Sequence, residues 1–261
     1  MSELFLLLIA FSASVIGSVC GVGGGVFMKP ILDMTGIATV STASFLSGMT
    51  VLAMTGYTTI KNLTSGNKEI DVKHVAPLAL GAAIGGVAGK YLFELMKTML
   101  PNTEKVGAVQ AVCLGAVALG TAVYTINKRH IKTLHIESLG ASALIGIILG
   151  IMSSFLGIGG GPVDLVVLFF FFSMDTKTAV QNSLFTILFS QAFSLIYTVA
   201  SGNVPEFSPV ALGLMICGGI LGGMIGRKIS RKLSGQLVDR LFIYLLIAIL
   251  GISVFNFFKY I

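Results

Sequence analysis

The sequence predicts an all-α membrane protein, with about ten hydrophobic segments in two inverted repeats of five and short or broken helices at two glycine clusters. Three observations predict it. Hydrophobic residues make up 55% of the 261-residue chain and charged residues only 11%. The mean hydropathy is +0.95, so the polar side chains are too few to cover the surface for water. Apolar runs near the length that crosses a bilayer recur between short polar stretches. Finally, Gly21-Val22-Gly23-Gly24-Gly25 returns as Gly157-Ile158-Gly159-Gly160-Gly161, at the same place in each half. The runs lack the apolar-polar alternation of a barrel strand, and helices are therefore expected.

Residues 3–20 form the first segment. No Lys or Arg precedes it, unlike the basic start of a cleavable signal peptide, so it reads as a retained helix. Segment 24–36 is too short to span comfortably; it starts at the first glycine cluster and pairs with its predecessor as two short spans or as a re-entrant hairpin. Segment 38–60 carries Ser41, Thr42, Ser44, Ser47 and Thr50 at helical spacing. Segments 74–97 and 104–127 close the first half. In the former, Gly81, Gly85 and Gly89 recur every four residues, a smooth stripe that lets helix backbones approach closely in lipid.

The second half repeats the plan with segments 135–156, 160–174, 178–200, 207–228 and 235–258. Segment 160–174 is again short and led by a glycine cluster. Segment 178–200 carries Gln181, Asn182, Ser183, Thr186, Ser190 and Gln191, and 207–228 carries the stripe Gly218, Gly222 and Gly226. Residues 1–127 are thus read as the first repeat, 128–134 as a basic cytoplasmic linker, and 135–261 as the second, inverted repeat. Cys20, Cys113 and Cys217 are isolated in apolar runs, with neither zinc spacing nor a disulfide framework.

The net charge of +6 reflects membrane orientation. Alternating through the segments puts Lys61, Lys68, Lys73, Lys128, Arg129, Lys132, Lys177, Arg227, Lys228, Arg231 and Lys232 on one face, against Lys97, Lys105 and Lys259 on the other. By the positive-inside rule the first face is cytoplasmic, so both termini are expected outside a multi-pass protein of the cell membrane. Nucleic acid is not an expected partner. Similar residues recur about 136 positions apart: the two clusters match, as do Ser65-Gly66-Asn67 and Ser201-Gly202-Asn203. A slightly shifted register aligns Gly85 with Gly222, Lys90 with Arg227 and Ser44 with Ser183. Repeats with an odd number of segments must face opposite ways, which is the signature of many secondary transporters.

At each cluster one helix stops and another starts, leaving the first N–H groups of the new helix without intrahelical partners. Two readings stand. The glycines permit tight turns and close packing, or Gly23, Gly24, Gly25, Gly159, Gly160 and Gly161 present N–H groups and the positive end of a helix dipole to an anion. Ser44, Gln181, Asn182 and Ser183 would then line the site without adding fixed charge. Lys29 and Asp164 are candidates for attracting an anion or carrying a coupling proton. Each also has a plainer role: Lys29 can snorkel to the boundary, and Asp164 can complement the dipole of the helix that Pro162 opens. Neither cluster is followed by the Lys-Ser/Thr of a nucleotide loop. His74, His130 and His135 lie in or beside loops, and no HExxH motif or intramembrane acidic pair is present, so neither an enzyme nor a metal or cofactor site is expected.

Gly21-Val-Gly-Gly-Gly-Val-Phe-Met-Lys-Pro30, Gly157-Ile-Gly-Gly-Gly161, Thr42-Ala43-Ser44 and Gln181-Asn182-Ser183 resemble the motifs of the sulfite exporter TauE/SafE family of membrane anion transporters. The likeness covers essentially the whole chain. It implies movement of a small sulfur-containing anion, such as sulfite, an organosulfonate or a related oxyanion, driven by a proton or sodium gradient. Val166 replaces the second proline, and Gln181-Asn182 replaces smaller residues. These departures leave open transport of a non-sulfur organic acid; an anion channel of the same architecture is the alternative mechanism, and a homodimer is also left open.

Overall fold

The computed structural model describes residues 2–65, 70, 72–100 and 103–260. Gly66 and Asn67 of the first Ser-Gly-Asn loop, with Lys68, lie outside the described residues. Ten α-helices and no strand form among the described residues: α1 (Ser2–Cys20), α2 (Gly25–Thr35), α3 (Val40–Thr64), α4 (Val72–Met99), α5 (Thr103–Asn127), α6 (Leu139–Leu156), α7 (Pro162–Phe172), α8 (Thr176–Ala200), α9 (Pro209–Lys232) and α10 (Gly235–Tyr260). Their starts follow local chemistry. The side chains of Thr39, Ser138, Asp175 and Ser208 accept backbone N–H bonds at the starts of α3, α6, α8 and α9, satisfying donors that a helix leaves free.

Seven helices, α1, α4, α5, α6, α8, α9 and α10, are long and apolar enough to cross a membrane. The third hydrophobic segment differs from expectation. Helix α3 has 25 residues, but its hydroxyls make it too polar for that set. It is a protein-enclosed helix: buried Thr50, Thr55 and Thr58 donate to the carbonyls of Leu46, Val51 and Met54 at 2.8, 2.7 and 2.9 Å. Helices α2 and α7 have 11 residues each, which rise about 16 Å against a hydrocarbon core of about 30 Å.

Both short helices begin inside the bundle and have their far ends tied down. Asn256 Nδ2 donates to Pro30 O at 2.9 Å and Lys259 Nζ to Asp33 O at 2.7 Å, clamping α2 to the end of α10. The Leu134 and Ile136 N–H groups reach Phe170 O and Phe171 O at the end of α7, at 2.7 and 2.9 Å.

The glycine stripes are packing surfaces. Gly81, Gly85 and Gly89 of α4 rest on the carbonyls of Ala143, Ile147 and Ile151 in α6, while Gly218, Gly222 and Gly226 of α9 rest on Leu7, Phe11 and Val15 in α1. A methyl at any of them would meet backbone, which side-chain rotation cannot relieve. The order of contacts makes α1 parallel to α9 and α4 parallel to α6. Helices α3 and α8 are antiparallel neighbours at the centre, where Gly48 meets Gln191 and Asn62 meets Gln181. Helix α5 runs antiparallel to α10, with Gly107 on Tyr260 and Gly115 on Ser253. Helix α3 also packs on α9, and α8 on α4; exchanging α1–α5 with α6–α10 converts this set of pairs into itself.

Candidate functional site

The two glycine loops meet between α3 and α8. Gly23 and Gly159 are both left-handed, at φ +65° and +64°, a conformation that glycine adopts without a Cβ clash. A methyl on Gly23 would lie 3.1 Å from Gly159 O, and one on Gly25 would strike Ile158 O. Close approach of backbone to backbone therefore requires glycine here. The loops are held from the opposite half in matching fashion. Ser47 of α3 donates to Gly157 O at 3.1 Å, and Ser183 of α8 donates to Gly21 O at 2.6 Å.

Several polar groups around this crossing are unsatisfied among the described residues. Val22 N reaches Gly17 O and Ile158 N reaches Ser153 O, but the N–H groups of Gly23, Gly24, Gly25, Gly159 and Gly160 have no protein acceptor. The buried side-chain oxygens of Ser14, Ser44, Ser153, Ser154 and Gln191 Oε1 likewise lack a partner. Ser14 lies against Gly24, Ser44 against Gly157 and Gln191 against Gly159. Buried polar atoms without partners are uncommon in folded proteins. Here they combine hydroxyls and N–H donors around two helix starts, a donor-rich setting suited to an oxyanion.

The other expected site residues are placed as follows. Gly161 opens α7, and its N–H donates to Asp164 Oδ2 at 3.1 Å. Asp164 thus folds back on the helix terminus that carries it. Lys29 does not snorkel: it is 3% exposed and forms an ion pair with Asp33 at 2.6 Å, one helical turn on, while its Cε lies against Gly157. Gln181 accepts from Asn62 rather than from a glycine, and Asn62 also accepts from Arg227 Nε at 2.5 Å. Asn182 donates to Thr178 O at 2.8 Å, within its own helix.

Sequence reasoning missed Asp33, Asn62 and Arg227 as the partner of Asn62, and it named Ser47 among the hydroxyls of its segment without singling it out for the site. Ser47 was legible. It lies 136 residues before Ser183, the same offset as the glycine clusters, and the bonds to Gly157 and Gly21 make Ser47 rather than Ser44 the counterpart of Ser183. Asp33 was legible too, because i,i+4 spacing from Lys29 places both on one helix face. Asn62 and Arg227 are 165 residues apart, and no local pattern joins them.

Clefts enter from the two ends. One, of about 730 Å³, is walled by Glu3, Thr39, Thr42, Leu46, Glu206 and Ser208. The other, of about 700 Å³, is walled by Lys128, Thr133, Phe169, Ser173, Thr176 and Asp239.

Among the described residues, seven helices long and apolar enough to cross a membrane, two half-length helices and a polar crossing at the centre of the bundle define a polytopic membrane protein. Residues 6–254 match the profile of the family described as sulfite exporter TauE/SafE, and the chain belongs to that family of membrane transporters. It is 25% identical over 232 residues, 81% of this chain and 84% of the relative, to the probable membrane transporter protein YunE of Bacillus subtilis (strain 168). No solved structure matches the chain.

Proposed function

We propose that this chain is a secondary transporter that moves a small sulfur-containing oxyanion by alternating access, holding it where the two glycine loops cross. The observation that carries the reading is that crossing: two glycine loops with unpartnered N–H groups, each leading into a helix, surrounded by unpartnered hydroxyls. Lys29 is neutralised by Asp33, so the binding power comes from oriented dipoles and hydrogen-bond donors.

Alternating access is supported by helix directions. Helix α1 parallels α9, which parallels α3, and α4 parallels α6; the counterparts α3 and α8 oppose one another, as do α5 and α10. Opposed counterparts are what halves of opposite sense require, and inverted repeats have such halves. Rocking one half against the other would open the crossing first to the cleft beside Glu206 and then to that beside Lys128. With the bases at the Lys128 end facing the cytoplasm, both termini lie outside.

Asp164 supplies a route to proton coupling. Its carboxylate occupies a donor at the start of α7, where a substrate anion would compete with it. Protonation removes that competing charge, so proton and anion would load together. Uptake of labelled sulfite, thiosulfate and an organosulfonate into proteoliposomes under an imposed proton or sodium gradient tests the reading. Saturable, gradient-driven accumulation of one of them is expected. Flux linear in concentration would identify a channel, and accumulation only of sulfur-free organic acids would overturn the substrate class.

A further inference from the structure

We propose that an anionic phospholipid of the leaflet at the basic end docks in a groove between α1, α9 and α10. The groove has a volume of about 400 Å³ and is walled by Val15, Val19, Phe27, Ile229, Tyr244 and Ala248, with almost no polar surface. It is the right character for an acyl chain, since its walls lie on the apolar helices α1, α9 and α10, with Phe27 of α2, at membrane depth.

Charge at one end specifies the headgroup. Lys232 lies three residues beyond Ile229 on α9, and Arg240 lies four residues before Tyr244 on α10. Both therefore lie on the groove faces, one turn nearer the basic end. Lys228 precedes Lys232 by one turn and adds a third cation. All three are exposed, and none is ion-paired among the described residues. The neighbouring acid, Asp239, is already engaged by Lys128 at 2.7 Å and Thr176 at 3.0 Å. An apolar slot ending in uncompensated cations complements a phospholipid with a net negative headgroup, whereas a zwitterionic headgroup brings its own cation among them.

Placing the leaflet on the cytoplasmic side rests on the proposed orientation; the docking itself does not. The test is native mass spectrometry of the delipidated protein titrated with phosphatidylglycerol and, separately, phosphatidylcholine of the same acyl chains. Wild type is expected to bind phosphatidylglycerol at least about tenfold more tightly. K232Q/R240Q is expected to weaken phosphatidylglycerol about thirtyfold, because each base beside an anionic lipid contributes about fivefold. K232R/R240K, which keeps both charges, should retain the preference, and Ala248→Trp, which fills the slot, should weaken both lipids. Equal binding of the two lipids by wild type, an undiminished preference in K232Q/R240Q, or unchanged retention by Ala248→Trp overturns the proposal. Transport assays do not enter, so its failure is distinct from that of the transport reading.

Discussion

At the scale of single residues, glycine does two jobs at the loop crossing, and substitutions can separate them. Gly25 is needed for space: a methyl there strikes Ile158 O, and forcing extra volume into a packed site costs about 1–3 kcal/mol or more. Gly25→Ala should lower the melting temperature in detergent, with transport falling alongside. Gly161 has room, since the nearest atom to an added methyl is 3.6 Å away, and its φ is −142°. Gly161→Ala should fold with wild-type stability yet reduce transport about tenfold by crowding the start of α7. Unchanged saturation kinetics in that variant would remove α7 from the proposed site. Ser47→Ala and Ser183→Ala each orphan a buried glycine carbonyl, at a cost of about 1–3 kcal/mol. Unfolding measurements should give Ser183→Ala the larger loss, because its bond is 2.6 Å and undivided whereas the Ser47 hydroxyl is shared between Gly157 O at 3.1 Å and Ser44 O at 3.2 Å.

Helix α2 shows what an element of 11 residues requires inside a bilayer protein. Its ion pair is enclosed, its far end is clamped by Asn256 and Lys259, and Gly36 ends it in a left-handed cap at φ +67°. Removing one partner of a buried pair leaves the other charge uncompensated, at about 3–5 kcal/mol, whereas replacing both with apolar groups is often near neutral. Lys29→Met and Asp33→Leu should therefore each destabilise the protein strongly, and the double variant should recover much of the loss in a thermal-shift assay. Strong destabilisation without recovery would mean that Lys29 engages something besides Asp33. The element boundaries were largely legible in the sequence, because glycine clusters and capping residues act locally. The status of α3 was not, since a hydroxyl-rich helix can sit in a membrane protein only when neighbours enclose it.

For the molecule as a whole, the decisive proposal is that the halves are inverted. Single cysteines placed in segments 128–134 and 201–208 should react with a membrane-impermeant maleimide from opposite sides of sealed vesicles. Labelling of both from one side would rule the arrangement out. The charge distribution and the 136-residue offset carry that proposal from the sequence; helix partnership was not legible there. Nothing in residues 2–20 alone identifies α9 as the neighbour of α1, because a glycine stripe specifies close approach without naming the helix that approaches.

By itself, the sequence determined a helical, lipid-embedded chain, two glycine interruptions, the smooth faces of α4 and α9, and membership of a transporter family. The first three follow from composition, local spacing and backbone conformational limits, all of which act over a few residues; family membership rests on the motif resemblance and the match over residues 6–254. Only the tertiary structure decided that the interruptions cross one another, that Ser47 and Ser183 exchange hydrogen bonds between the halves, and that Gln181 turns to Asn62. Each of these joins residues more than 100 positions apart in sequence. In a bilayer, where lipid satisfies apolar surface as well as protein does, such partnerships are selected by shape and hydrogen bonding between whole helices.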